Sequence, residues 1–301
     1  MRTQKPGKIN DNLFFLGRKE SCVYFLRGSR ESMLISGGMS YIVPDLLRQF
    51  EEFDIDETRI TRLLILHSHF DHVGIIPFLQ RRNRSMEISG SARAWEILHM
   101  PKAIKTINSF GRNVAERLGM EAAYKDYDLE WRGDISGSIV REGDRIDLGG
   151  IEGIIYETPG HSSCSITLYV PSIKTLFASD GAGIPFGNSI LASGNSNFTK
   201  YQESLEKLRG LNTECVCADH FGYISGSEAN TFIQKSIHTA EVYRRLLEDT
   251  YRRTGDINIA AKEINDDFYR LNKDYFLPPE IMEGVCRQMI RHVADCMNRG
   301  R

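Results

Sequence analysis

The sequence has no long apolar run. No stretch approaches the roughly 18 residues that a membrane span needs, and the opening MRTQKPGKIN lacks the apolar centre of a secretory signal. The expectation is a cytoplasmic protein with no membrane partner. An excess of charge of one sign is also missing. Lys and Arg total 38 against 40 Asp and Glu, a formal net charge of -2. No global field then favours an anionic membrane or nucleic acid, and no basic arm is evident, so no nucleic-acid partner is expected. Cysteine is sparse, at positions 22, 164, 215, 217, 286 and 296, without zinc-ribbon spacing. Free thiols are the expectation. Cys215 and Cys217, two apart in a predicted strand, face one buried side together. Repeats and low-complexity segments are absent.

What is present is an ordinary globular composition, 41% hydrophobic and 26% charged over 301 residues, enough to bury a large core. NLFFLG, CVYFLRG and SMLISGG read as short strands closed by turn residues. VPDLLRQFEEF reads as a helix with Pro44 in its first turn, and RLLIL as a buried strand. VGIIPFLQRR is a short helix whose Arg81, Arg82 and Arg84 suit a solvated C-terminal end. MEISG is a strand and SARAWEILH a helix, followed by a mainly helical insert over about residues 100–131. Strands return from 139 in SIVREGDRIDLG, IEGIIYETPG, SITLYVPS and KTLFASD, with Gly143–Asp144 and Gly149–Gly150 suited to hairpins. FTKYQESLEKLRGL is an amphipathic helix and ECVCADH a last strand. Beyond 226 the sequence reads as three helices: SEANTFIQKSIHTAEVYRRLLEDTYRRTG, INIAAKEINDDFYRL and PPEIMEGVCRQMIRHVADCMNRG. The organisation expected is a mixed α/β unit over 1–225 and a helical extension over 226–301, packed on it as a lid or a dimer surface.

Chemistry concentrates in RLLILHSHFDHVG. In an extended segment residues two apart point to one side, so His67 and His69 can reach one ion together. Asp71 and His72 lie at the turn into the next helix and aim elsewhere. These are too many groups for one tetrahedral ion, which implies two. Further donors follow at strand ends: His161 in TPGHSSCS, Asp180 in LFASDG and His220 in CVCADHFG. The site thereby absorbs five of the eight histidines. His99, His238 and His292 read as ordinary hydrogen-bonded residues.

These residues resemble the metallo-β-lactamase superfamily. His67, His69, Asp71 and His72 match its H-x-H-x-D-H motif, and His161, Asp180 and His220 match its later positions in order, over roughly residues 10–225. The resemblance implies an αββα sandwich, with metals at one edge between two sheets. It implies that His67, His69 and His161 hold one ion, that Asp71, His72 and His220 hold the second, and that Asp180 bridges them. Imidazoles and carboxylates suit zinc, iron or manganese without a thiolate. Two divalent transition metal ions bring the pKa of a shared water toward neutrality, giving a hydroxide nucleophile at pH 7. Asp71 and Asp180 are the candidate catalytic carboxylates, Asp71 accepting or orienting the nucleophile's proton. Three departures touch the surroundings of the ligands: Ser36 stands where the family often has an acid, Leu66 replaces the usual Thr, and the final His lies in ADHFG.

The tail, GSEANTFIQKSIHTAEVYRRLL, resembles the PqsE-like thioesterase branch, and glyoxalase II shares the metal motif and cleaves a thioester. The reading is therefore a dinuclear metal-dependent hydrolase of a small-molecule acyl thioester. A lactone or phosphodiester would use the same nucleophile, and a metal-binding protein acting through a partner is the alternative of another class. Cys164 reads as a small buried residue. Trp95, Trp131, Phe186 and Phe221 read as core or lid packing rather than pocket lining. Tyr243, Leu246 and Leu247 offer either a homodimer seam or intramolecular packing.

Overall fold

The chain, seen as a computed structural model, is described over residues 1–299. Two seven-stranded sheets face each other. The first runs in spatial order Gly7–Lys8, Leu13–Arg18, Ser21–Arg27, Ser32–Ile35, Ile60–Leu64, Glu87–Gly90, Ser138–Ile139. Its early strands are antiparallel, and pairing becomes parallel from Ser32–Ile35 onward. Parallel pairing needs crossovers, which carry helices α1 (Val43–Glu52), α2 (Ile76–Arg82), α3 (Ala92–Leu98) and α4 (Pro101–Arg117). The second sheet runs Arg2–Thr3, Tyr223–Ser225, Cys215–Cys217, Thr175–Phe177, Ile166–Val170, Glu152–Glu157, Arg145–Asp147. Helix α5 (Phe198–Leu208) crosses between its one parallel pair, Thr175–Phe177 and Cys215–Cys217.

The strands of LFFL and CVYFL are apolar at every position because both faces are covered. Phe15, Tyr24, Leu26 and Leu64 point inward against Ile155, Leu168, Phe177 and Cys217 of the opposite sheet. Their alternates Phe14, Leu16, Val23, Phe25 and Leu63 pack outward in the core beneath the first helices. Leu176, Val216 and Ile224 do the same on the outer face of the second sheet. The result is the αββα sandwich that the motifs imply. Cys215 and Cys217 are both buried, with sulfurs 3.9 Å apart, on the inter-sheet side. All six cysteines are free.

Three helices follow the sandwich: α6 (Phe232–Thr254), α7 (Ile257–Leu271) and α8 (Pro279–Arg299). Gly255 ends α6 in the left-handed conformation (φ 66°), its N–H bonded to the Tyr251 carbonyl. Asp256 starts α7 by accepting from the backbone N–H groups of Asn258 and Ile259. Ile233, Ile237, Ala240 and Leu247 of α6 join Ile290 and Val293 of α8 in one core with the second sheet. Leu247 is therefore turned inward and Tyr243 packs on Phe198, while Leu246 stays exposed. No helix among the described residues is long and apolar enough to cross a membrane.

The structure departs from the sequence reading in four places. Gly143–Asp144 closes no hairpin, because Ser138–Ile139 joins the first sheet and Arg145–Asp147 the second. The 100–131 insert is helical only over α4 and one turn, Ala123–Asp126. Its last part is held without helix: Asn108 clamps the backbone of Trp131, whose indole N–H donates to the Val73 carbonyl. The helix read from SEANTF is broken, because Thr231 (φ -106°) separates Ser227–Asn230 from α6. The hairpin Ile184–Phe186/Ser189–Leu191, the edge strand Arg2–Thr3 and its neighbour Tyr223–Ser225 are too short to show a period of two.

Candidate metal centre

The site begins where the chain leaves Ile60–Leu64. The Ile166 N–H donates to the Leu66 carbonyl, so the segment switches from the first sheet to the second just before His67. The following turn sits on the ISGG loop: Gly37 N–H donates to the His72 carbonyl and Gly74 N–H to the Gly38 carbonyl, each at 2.7 Å. A Cβ at Gly74 would lie 2.1 Å from the Ser40 nitrogen, so only glycine permits this approach. The His161 turn is seated likewise, as a Cβ at Gly160 (φ 135°) would meet the Tyr201 nitrogen at 2.2 Å.

The fold brings all seven predicted residues together. His67, His69 and His161 form one donor trio, and Asp71, His72 and His220 a second, with donor atoms within 4.8 Å of one another in each. His69 Nδ1 lies 3.0 Å from His161 Nε2, and His72 Nε2 lies 3.2 Å from His220 Nε2. Asp71 Oδ2 is 3.5 Å from His72 Nε2 and 3.4 Å from His220 Nε2. Asp180 Oδ2 sits between the trios, 3.3 Å from His72 Nε2 and 3.5 Å from His161 Nε2. Donors bonded at about 2.0–2.1 Å to one tetrahedral ion stand about 3.3 Å apart, the edge of the tetrahedron. His67 Nε2 and Asp180 Oδ1 are buried without a hydrogen-bond partner. Orphaned polar atoms of this kind are costly, and a cation would satisfy both. The donor set therefore fits two divalent ions.

The outer nitrogens are fixed from behind, which sets each tautomer. His161 Nδ1 donates to the Ser193 carbonyl at 2.8 Å and His220 Nδ1 to the Glu20 carbonyl at 2.7 Å. His72 Nδ1 donates to Asp219 Oδ2 at 2.8 Å. His67 Nδ1 donates to the Ser179 hydroxyl at 3.1 Å, and that hydroxyl donates onward to Asp219 Oδ2. Ser36 also donates to this oxygen, at 2.8 Å. Asp219 forms a third donor trio with His67 and His72. It meets hydrogen-bonded nitrogens, however, and so orients the rings rather than ligating. Ser36 (φ 69°) and Ser179 (φ 48°) both hold left-handed backbone to deliver their hydroxyls, a conformation costing about 1–3 kcal/mol each. Sequence reasoning missed Asp219 and Ser179. The available signal was Ser36 standing in an acidic position while an extra acid directly precedes His220.

Burial drives His67, His69 and His161 toward the neutral imidazole, His69 down to about 3. Burial acts the same way on His72 and His220. There the neighbouring carboxylates outweigh it: Asp71 and Asp180 carry His72 well above its ordinary value, and Asp180 carries His220 up to about 10. Burial in turn penalises the carboxylates, yet His72 and His220 hold Asp71 and Asp180 well below the usual range. Protons on His72 and His220 thus balance the acids when no metal does so, and metal binding must displace them.

The sign for stability follows. In metal-free protein, His72 and His220 contribute stability that is complete below about 6.5 and is lost as pH rises, for His220 through about 10. His67, His69 and His161 contribute stability that is complete above about 6.5 and is lost as pH falls, for His69 toward about 3. Metal-stripped protein is expected to show its highest Tm near neutrality and a decline on both sides. Calorimetric melts across pH 4–10 check this; a Tm still climbing at the alkaline end would contradict it.

Above the ligands opens a cavity of about 700 Å³. The helical extension contributes to its wall: Tyr275 and Phe276, between α7 and α8, line it, and the Phe276 ring stands 4.9 Å from that of His220. Phe186 and Phe221 pack on Tyr275, with centroids at 5.2 and 6.1 Å. Trp131 is buried in the first core and Trp95 donates to the Ser138 carbonyl. Cys164 is buried and accepts from the Ser68 N–H.

Residues 17–220 match the family model described as the metallo-beta-lactamase superfamily. A hydroxyacylglutathione hydrolase of Methylobacterium nodulans is 26% identical over 122 residues, 40% of this chain and 34% of that protein. The chain thus spans about a third of the length of that curated relative. Among solved structures, a metallo-beta-lactamase family protein from Thermus thermophilus aligns at TM-score 0.69 and 16% identity, over 97% of this chain and 95% of its own. An archaeal metallo-beta-lactamase superfamily protein from Sulfolobus tokodaii aligns at TM-score 0.57 and 22% identity, over 75% and 85%. At these identities the structural likeness speaks for the fold alone.

Proposed function

Because the chain belongs to the metallo-beta-lactamase superfamily, we propose that it is a dinuclear metal-dependent hydrolase whose substrate is a small-molecule acyl thioester. The observation that carries the metal-dependent part is the convergence of donor atoms at tetrahedral-edge distances around the unpartnered His67 Nε2 and Asp180 Oδ1. His67, His69 and His161 would hold one ion, Asp71, His72 and His220 the other, and Asp180 both. When bound, two such ions would supply a water that ionises near neutral pH and a Lewis acid for the acyl oxygen. The protein's own groups do the rest. The backbone carbonyls of Ser193 and Glu20 hold His161 and His220 in the tautomer that presents Nε2. Asp71 offers a carboxylate oxygen to hold or receive the nucleophile's proton. Tyr275 and Phe276 keep bulk water from the acyl group.

The thioester is supported by the likeness to a hydroxyacylglutathione hydrolase and by the resemblance of residues 226–301 to the PqsE-like thioesterase branch. We read 1–225 as the catalytic unit and 226–301 as its lid. Among the described residues the cavity wall brings a single Lys or Arg, Lys102, which suits an acyl group better than a phosphodiester or nucleic acid. Six free cysteines suit a reducing compartment, so we place the protein in the cytoplasm.

The test loads purified protein with zinc, iron or manganese in turn and offers a thioester, a lactone and bis(p-nitrophenyl) phosphate. Thioester turnover is expected to dominate, to vanish with a chelator and to return with metal. Full activity in a preparation free of transition metal would overturn the reading.

A further inference from the structure

We propose that the cavity selects an uncharged, apolar acyl arm that carries a hydroxyl or amide group, and that Asn195 reads this group. The proposal rests on the acyl-hydrolase reading and deepens it.

The lining is apolar on several sides. Ile107 and Phe110 come from α4, Ile190 from the hairpin, Phe276 from the lid segment, and Met282 and Met289 from α8. Apart from the histidines and aspartates of the metal centre, charge is brought only by Lys102 and Glu280. Both are exposed, in the first turns of α4 and α8, and they are opposite in sign. An arm with carboxylates or phosphates would lose hydration inside without gaining partners. An aliphatic or aromatic arm gains by leaving water.

One polar side chain breaks the apolar lining in a specific way. Asn195 lies on the segment that joins the hairpin to α5, which also holds His161 through the Ser193 carbonyl and the Ser196 N–H. Asn195 is 9% exposed, and its Oδ1 is buried without a partner. Among the described residues, the buried side-chain atoms left unpartnered on residues that line the cavity belong to Asp180 and Asn195. The metal centre accounts for Asp180. No partner among the described residues accounts for Asn195. The oxygen and nitrogen of a carboxamide can exchange places, so the matching substrate group is one that both donates and accepts. A hydroxyl or an amide meets that requirement, whereas a plain hydrocarbon leaves the Asn195 oxygen unsatisfied. A buried polar group built to be paired discriminates strongly against a ligand that lacks the partner.

The test compares N-acetylcysteamine thioesters of octanoic acid and of its positional hydroxy isomers with lactoylglutathione, using metal-loaded protein. One hydroxy isomer is expected to exceed octanoyl in kcat/KM by roughly tenfold or more, and both to exceed lactoylglutathione. In Asn195→Leu the ratio of hydroxyoctanoyl to octanoyl is expected to fall close to one, with metal content and circular dichroism confirming the fold. Calorimetric binding of the free hydroxy acid and of octanoic acid to wild-type protein repeats the comparison without turnover. A hydroxyl preference in binding with no thioester cleaved would uphold this inference and refute the thioesterase reading. Thioester turnover without a hydroxyl preference in either assay, or with lactoylglutathione as the best substrate, would refute the inference and leave the thioesterase reading standing. The wild-type comparisons decide the matter even if Asn195→Leu does not fold.

Discussion

Asp180→Ala is expected to abolish turnover and to strip most of the bound metal. Asp180 Oδ2 is within 3.3–3.6 Å of His72, His161 and His220, which belong to both donor trios. With two ions held as proposed, removing it would leave each one ligand short and would leave two cations without a carboxylate between them. The loss should exceed the roughly 10–100-fold that follows removal of an outer hydrogen-bond partner. The fold should survive, because the Asp180 carbonyl still accepts from the Ser193 hydroxyl and the turn keeps its backbone bonds. Elemental analysis beside turnover separates the two effects. A variant retaining wild-type metal content and rate would remove Asp180 from the centre.

Asp219→Asn is the second large effect. This carboxylate is not among the predicted ligands, yet its Oδ2 accepts from His72 Nδ1 and, through Ser179, supports His67 Nδ1. One oxygen thereby orients a ring from each trio. Asparagine keeps the shape but loses the charge that makes both imidazoles better donors. Metal affinity is expected to fall about 10–100-fold, or about 1.4–2.7 kcal/mol, and competition with a chromophoric chelator reads this directly. Ser36→Ala should cost far less, since it removes one of three donors to that oxygen. Equal metal affinity in Asp219→Asn and wild type would show that the rings are held by packing instead.

The seven donor positions were legible because metal ligation constrains residue type, local spacing and order. His67 and His69 share a side of an extended segment, and His161, Asp180 and His220 each follow a strand. The strands of the sandwich were legible from LFFL and CVYFL, whose unbroken apolar runs belong to a sheet covered on both faces. Segments of two or three residues such as Arg2–Thr3 carry no period, so their pairing escaped the sequence.

The sequence by itself therefore determined the seven candidate donors and the apolar runs that build two sheets, because each is carried by a short local motif: a His or Asp at a strand end, or a run of apolar residues. Tertiary structure alone decided what surrounds the ligands. Asp219 meets Ser36 across 183 positions, and Tyr275 and Phe276 line a cavity together with residues far earlier in the chain. Such contacts leave no local spacing to read. They depend on which apolar faces find one another when the sandwich and its helical extension pack.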